Sequence, residues 1–256
     1  MNENSKMLCV IIPIYKQFLN EKEILSVNSY VEYFKNIDIF FVCPQSLDIN
    51  DYKTKYESIN YVRFDDCFFQ SNKSYNNLML SEKFYEEFHN YVYMLIAQTD
   101  AIIFNQDINI TEFINSDYDY IGAPWYYSPF STKDGIIKYL IKKLIIHDSL
   151  KMSCGNGGFS LRKISSMIEL LRMTSIYRKI LWHYNEDIFF SYVGRKRGYK
   201  IAPCDIAEKF ALEQNMKERI SLCKFPLALH AWEKEFTSYK ELENFRDLAI
   251  QNKKDN

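Results

Sequence analysis

The residues of this chain best suited by type to do chemistry are carboxylates that close apolar runs. Asp100 follows Tyr91 to Ala97, the strongest apolar run in the sequence, with Gln98 and Thr99 between. In open α/β sheets ligands bind beyond the carboxyl ends of the strands. A carboxylate there can hold Mg²⁺ or Mn²⁺ against a diphosphate, because hard cations take oxygen ligands and bridge phosphates. An Asp after a strand is just as often a turn residue. Asp117 and Asp119 show a D-x-D spacing, also suited to a metal–diphosphate, but they precede the run Tyr120 to Ala123 rather than follow it. If that strand is parallel to the others, the pair lies at the wrong edge. Asp65 and Asp66 follow the run Ile59 to Phe64 on the correct edge, as acids near a nucleotide or as plain loop acids.

Three further clusters stand out. Gly155-Asn156-Gly157-Gly158 gathers three of the 7 glycines into four residues. Glycine admits close approach of backbone to a ligand, or a tight turn entering a strand. The pattern is neither G-x-G-x-x-G nor a P-loop. Asn185-Glu186-Asp187 precedes the apolar Ile188-Phe189-Phe190. It reads as helix capping, or as a carboxylate held at a helix start as general base. His230 and Trp232 sit in Leu229-His230-Ala231-Trp232, offering a metal ligand and an aromatic face, or a core histidine beside a core ring. The histidines at 89, 147 and 183 show no pairing.

The elements that must position these residues follow from periodicity. Met7 to Ile14, Ile37 to Val42 and Ile59 to Phe64 read as buried strands, the first ended by Pro13 and Tyr15. Between the first two, Asn20 caps a helix carrying Ile24, Val27, Val31 and Phe34, with Glu23 three residues on. Strand–helix–strand order predicts βαβ units and a mostly parallel sheet. Leu80, Phe84 and Phe88 share one helical face. Tyr120 to Ala123, Gly155 to Leu161 and Ile201-Ala202 read as strands. Ile164 to Met173, Asp187 to Val193 and Tyr239 to Ile250 read as helices. Lys133 to Lys151 forms a basic amphipathic helix, with Ile136, Ile137, Leu140, Ile141, Leu144 and Ile145 on one face. Such a helix covers a core, or lies on an anionic membrane surface.

The chain has 256 residues, 47% hydrophobic and 25% charged, enough for one large domain with a sizeable core. Its net charge of -1 gives no general basic face for nucleic acid. Its 20 Tyr, 19 Phe and 3 Trp suit core packing and also stacking on sugar rings. The six cysteines form no C-x-x-C pair, so free thiols in a reducing compartment are expected. There is no signal-peptide pattern and no uncharged stretch long enough to span a bilayer. The expected location is the cytoplasm, with the basic helix a point of peripheral contact at the inner membrane face.

Eight stretches in order carry a resemblance: VIIPIYK, YNNLMLSEKFYEEF, YMLIAQTDAIIF, DYDYIGAPW, GNGGFSLRK, NEDIFFS, IAPCDIAEKFALE and LALHAW. With them the chain resembles a bacterial glycosyltransferase-like family of unknown-function domains. That resemblance implies a GT-A fold: an α/β single domain over 1–250, with a mostly parallel central sheet flanked by helices and the basic helix as an insertion. A nucleotide-binding half spans about 1–105, an acceptor-binding half 106–250, and a frayed tail 251–256. It implies that Asp100 and His230 hold a divalent metal (Mn²⁺ or Mg²⁺), with Gln98 where such enzymes carry the first acid. Pro13, Tyr15, Asp65, Gln98 and Thr99 would face the nucleotide. Asp187 would be the base of an inverting transfer, with Glu186 beside the sugar. Asn156, Gly157, Gly158, Trp125 and Trp232 would contact sugar or acceptor. The implied donor is a nucleotide-sugar, UDP by fold analogy. The implied acceptor is a glycan or lipid-linked glycan of surface polysaccharide assembly, lipopolysaccharide or capsule. A retaining transferase or a sugar-nucleotide hydrolase on the same fold, and a non-catalytic carbohydrate-binding module, are the alternatives. Product configuration, acceptor dependence and the need for a metal and base separate them.

Overall fold

The computed structural model describes residues 5–126, 153–176, 182, 185–222 and 225–254. The expected basic helix over 133–151 lies outside them. Strands β1 (Lys6–Pro13), β2 (Asp38–Pro44), β3 (Asn60–Phe64) and β4 (Tyr91–Ala97) pair in parallel in the order β3-β2-β1-β4. Val10, Ile11, Leu95 and Ile96 are fully buried, because helices cover both faces of a parallel sheet and leave no polar side. The sheet continues through β9 (Phe159–Lys163), antiparallel to β4, to β6 (Tyr120–Gly122) at the far edge. β6 pairs antiparallel with β9 and therefore runs in the direction of β4. The six strands draw on both sides of residue 105, so the two expected halves share one sheet.

The chain reverses its direction of travel across the sheet between β1 and β4, which opens a crevice at their carboxyl ends. The helix Glu21–Tyr33 packs there. It starts in a capping box: the Asn20 side chain accepts from the Glu23 N–H at 3.0 Å, and the Glu23 carboxylate accepts from the Asn20 N–H at 2.9 Å. From its buried face the Tyr30 hydroxyl donates to the carbonyls of Gln98 and Ala101. The turn carrying Asp100 is thereby pinned from below.

A second sheet forms from β5 (Ala101–Ile103), β10 (Ala211–Leu212) and β11 (Ala228–His230) in the order β10-β11-β5. β11 is antiparallel to β5, with His230 opposite Ala101, and β7 (Pro124–Trp125) pairs antiparallel with β8 (Ser153–Cys154) as a separate two-stranded sheet. A separate apolar cluster including Ile102, Leu212, Leu229, Trp232 and Phe236 lies against it.

Several expected elements differ. Leu80, Phe84 and Phe88 are buried but do not share a helix. The helices Asn72–Met79 and Glu82–Glu86 break at Leu80 and Ser81, and Phe88 lies past the second. Ile201 makes a single bridge to Tyr120 rather than a strand. The helix that begins at Tyr239 runs to Lys254, into the tail expected to fray. Among the described residues no helix is long and apolar enough to cross a membrane.

Candidate active site

A cavity of about 950 Å³ opens at the β1/β4 crevice. Pro13 and Tyr15 from the end of β1, and Gln98, Thr99 and Asp100 from the end of β4, form one side. Asn156, Gly157, Gly158, Glu186, Asp187 and His230 also border it. Residues spread over more than two hundred positions of sequence thus face one space.

Asp100 and His230 meet because β11 pairs with β5 directly after the Asp100 turn. Asp100 Oδ1 lies 3.3 Å from His230 Nε2. Both atoms are buried and neither has a hydrogen-bond partner of acceptable geometry. Two ligands at about 2.1 Å from one ion stand roughly 3.0–3.4 Å apart, so the pair fits two adjacent positions around a divalent cation. Among the described residues no group of three or more His, Cys, Asp or Glu could hold a metal by itself. The remaining positions would fall to phosphate oxygens and water, the usual arrangement for Mg²⁺ beside a nucleotide. Burial pushes the Asp100 carboxyl up, but His230 and the Lys234 charge outweigh it and hold the carboxyl below its ordinary range. Ala231, next to His230, adopts a left-handed φ of 51°, a conformation disfavoured for a residue with a Cβ.

The glycine pair serves these side chains. A Cβ on Gly158 would stand 2.1 Å from His230 Nε2, and one on Gly157 would stand 2.3 Å from Glu186 Oε1. Neither glycine has a positive φ. Close approach of these site side chains is by itself enough to require glycine at both positions. Gly158→Ala should therefore push the imidazole from Asp100, weakening at least tenfold any Mn²⁺ or ligand binding that depends on this pair. The overpacking should destabilise the fold by about 1–3 kcal/mol. Calorimetric titration of the folded variant with and without Mn²⁺ checks this.

Glu186 and Asp187 begin the helical segment after Asn185. Glu186 is buried, its N–H donates to Asn76 Oδ1 at 2.9 Å, and its Oε1 lies 3.0 Å from Arg162 Nη2. Asp187 is half-buried and accepts from the Ile188 N–H at 2.7 Å. Burial first, and the adjacent Glu186 charge second, push its carboxyl up to about 8; the Ile188 N–H and Arg162 pull the other way. A carboxyl tuned into that range can take a proton near neutral pH. Asn156 Oδ1 accepts from the Gly158 N–H at 2.9 Å, while its Nδ2 donates to Glu213 at 2.6 Å.

Three expected contacts are corrected. Trp232 is fully buried in the second apolar cluster and presents no ring face to a sugar. Trp125 is also buried, its ring filling the space where a Gly155 Cβ would be. Asp65 does not border the cavity; it accepts from the Cys67 N–H at 2.9 Å and caps a short 3₁₀ turn, Asp66–Phe69. Asp117 and Asp119 lie at the amino edge of β6, away from the cavity. Asp117 pairs with Lys163 and Lys200, and Asp119 accepts from Ser166 at 2.5 Å.

The sequence reading missed Arg162, Glu213 and Lys234. Glu213 follows β10 directly, the same signal that marks Asp100, and binds Lys234 at 2.7 Å. Arg162 follows Ser160 by two on β9, which puts both on one face, and donates to its hydroxyl at 2.9 Å.

Solved structures share this architecture. Mouse xyloside xylosyltransferase 1 in its apo form is similar with a TM-score of 0.56 at 12% identity, over 88% of this chain and 97% of that one. The galactosyltransferase LgtC, in complex with donor and acceptor sugar analogs, is similar with a TM-score of 0.53 at 14% identity, over 95% of each chain. The apo structure of the bifunctional glycosyltransferase WbbM gives a TM-score of 0.50 at 12% identity, over 88% of this chain and 45% of that one. The fold is therefore that of GT-A glycosyltransferases. No curated protein matches the sequence. A family model described as "Protein of unknown function (DUF5672)" matches residues 58–230, about two thirds of the length, and the chain belongs to that family.

Proposed function

We propose that this protein is a glycosyltransferase that moves a sugar from a nucleotide-sugar, a UDP-sugar, to a glycan or lipid-linked glycan acceptor in surface polysaccharide assembly. The observation that carries this reading is the convergence of Asp100, His230 and Asp187 on one cavity at the β1/β4 switch point. Such crevices are where α/β folds take nucleotides. Tyr15, 59% exposed at the rim, would face the base.

Asp100 and His230 would hold Mn²⁺ or Mg²⁺, which when bound offsets negative charge on a diphosphate. Asp187 takes the proton of the acceptor hydroxyl. The acceptor oxygen then bonds to the anomeric carbon of the donor as the bond from that carbon to the phosphate oxygen breaks. The nucleoside diphosphate leaves with that electron pair, and the configuration inverts. A retaining path would give the opposite anomer, and a hydrolase would release free sugar without acceptor.

Calorimetric binding of UDP, GDP and CMP, with and without Mn²⁺, tests the donor half of the reading. Metal-dependent binding of UDP alone is the expected result. Binding of none of the three by folded protein would remove the transferase reading and favour a carbohydrate-binding module.

A further inference from the structure

The helical segment that starts at Glu186 is not capped by its own N-cap residue. Asn185 holds the extended backbone of a cap, φ -63° and ψ 156°, but among the described residues its side chain makes no capping bond. The N–H that such a side chain would take, that of Ile188, is already held by Asp187 Oδ1 at 2.7 Å. Asp187 thus stands in the first turn of the helix it helps to close, with one of its oxygens spent on backbone.

The Glu186 N–H is met from a different helix. Asn76 lies 110 residues earlier, on Asn72–Met79, and its Oδ1 accepts that N–H at 2.9 Å. Its Nδ2 donates to the Asn72 carbonyl, one turn back, at 2.8 Å. The two bonds fix the direction of the amide, since the exchanged form would set its nitrogen against an N–H and its oxygen against a carbonyl. The helix that carries Asn76 is anchored at both ends. It opens in a capping box of Ser71 and Ser74, and it closes on the buried Leu78 and Met79. Ser71, Asn72, Tyr75 and Asn76 border the same cavity as Asp187. Asn77, the next residue, is exposed and does not border it.

The first N–H groups of a helix have no partner within it, so a rigid acceptor outside decides where the first turn rests. Asp187 follows the gripped residue directly, and a shift of that turn moves its carboxylate with it. We propose that Asn76 is a positioning residue: it caps, from the neighbouring helix, the segment that carries Asp187, and so sets where that carboxylate meets the acceptor hydroxyl. This rests on the transferase reading, in which Asp187 is the base. It gives the stretch YNNLML, otherwise without a place in the mechanism, a task at the site.

Carbon-13 NMR of the Asp187 carboxyl, followed across its titration, compares wild type with Asn76→Ala, Asn76→Asp and Asn77→Ala. Glu186, Arg162, Glu213 and Tyr120, the groups that act on Asp187, are the same in all four. Wild type and Asn77→Ala should titrate alike, at about 8. Without the cap the first turn opens to water, so Asn76→Ala should titrate at least about one pH unit lower. Asn76→Asp keeps the acceptor and adds a like charge, so it should titrate above wild type. Amide exchange at Glu186 should quicken at least about fivefold in Asn76→Ala and stay at the wild-type rate in Asn76→Asp. With UDP-glucose or UDP-galactose as donor, Asn76→Ala should lose about 10- to 100-fold in kcat with little change in donor KM. Asn76→Asp should recover most of that loss above its own midpoint. A general loss of folded protein would lower the active fraction and leave the midpoint in place. Equal midpoints in wild type and Asn76→Ala, or a kcat loss in Asn77→Ala equal to that in Asn76→Ala, would overturn the proposal. Should Asn76→Ala not fold, a midpoint of Asn76→Asp at or below that of wild type overturns it as well. Absence of turnover by wild type removes the transferase reading alone, because titration and exchange need no substrate.

Discussion

Asp187→Asn should bind UDP and Mn²⁺ as wild type does, yet lose about 10²–10⁴-fold in transfer rate. The amide keeps the shape and the Ile188 N–H contact but cannot take a proton. The pH dependence has a definite sign. The base works only when deprotonated, and its carboxyl is pushed up to about 8 by burial and by Glu186. Transfer should therefore rise with pH through about 8 and level off above it. The charged groups acting on Asp187 are Glu186, Arg162 and Glu213. Stability runs the other way. A carboxyl raised above its unfolded value contributes stability that is full below about pH 4 and is lost as pH rises to about 8. Asp187→Asn removes that loss, so the inactive variant should melt higher than wild type at pH 8, by about 2–4 °C for each kcal/mol regained. Near-normal transfer by Asp187→Asn, or a rate flat from pH 6 to 9, would remove this residue from the role of base.

Asp100→Ala should abolish the metal-dependent part of UDP binding, on the order of 100-fold in Kd, or about 2.7 kcal/mol. His230→Ala should do the same, since on the proposed reading the two side chains, 3.3 Å apart, would hold the ion together. Asp117→Ala is the control. It carries the competing D-x-D spacing but spends its carboxylate on Lys163 and Lys200 at the far edge of the sheet. Its loss should leave UDP affinity unchanged and cost about 0–1 kcal/mol of stability, as exposed pairs usually do. A loss of metal-dependent binding in Asp117→Ala with none in Asp100→Ala would reverse the two assignments.

The positions of Asp100 and Asp117 were legible because strand direction is local information. The apolar runs before and after each acid state which end of a strand it occupies, and a parallel sheet then assigns the edge. The capping box of Asn20 and Glu23 was legible for the same reason, since its parts lie three residues apart. The burial of Trp232 was not. The run Leu229-His230-Ala231-Trp232 looks continuous, but the left-handed turn at Ala231 separates the cavity-facing His230 from a ring that packs beneath the second sheet. Arg162 was equally hidden. A basic residue near the end of a short strand suggests surface, and its interior place follows from Glu186, which lies 24 residues later. The break between the helices Asn72–Met79 and Glu82–Glu86 escaped periodicity because Leu80, within it, and Phe84, beyond it, are both buried.

The pairing of β11 with β5 has a consequence for the order of synthesis. β5 waits for a partner made more than a hundred residues after it. A ribosome that has produced residues 1–220 has delivered all six strands of the main sheet, Asp100, and both acids at 186 and 187. It has not delivered His230, so the emerging polypeptide has only half of the Asp100–His230 pair. Any polypeptide that stops short of β11 lacks both the strand that pairs with β5 and the imidazole that faces Asp100, so the two sides of this cavity become complete in a single late step.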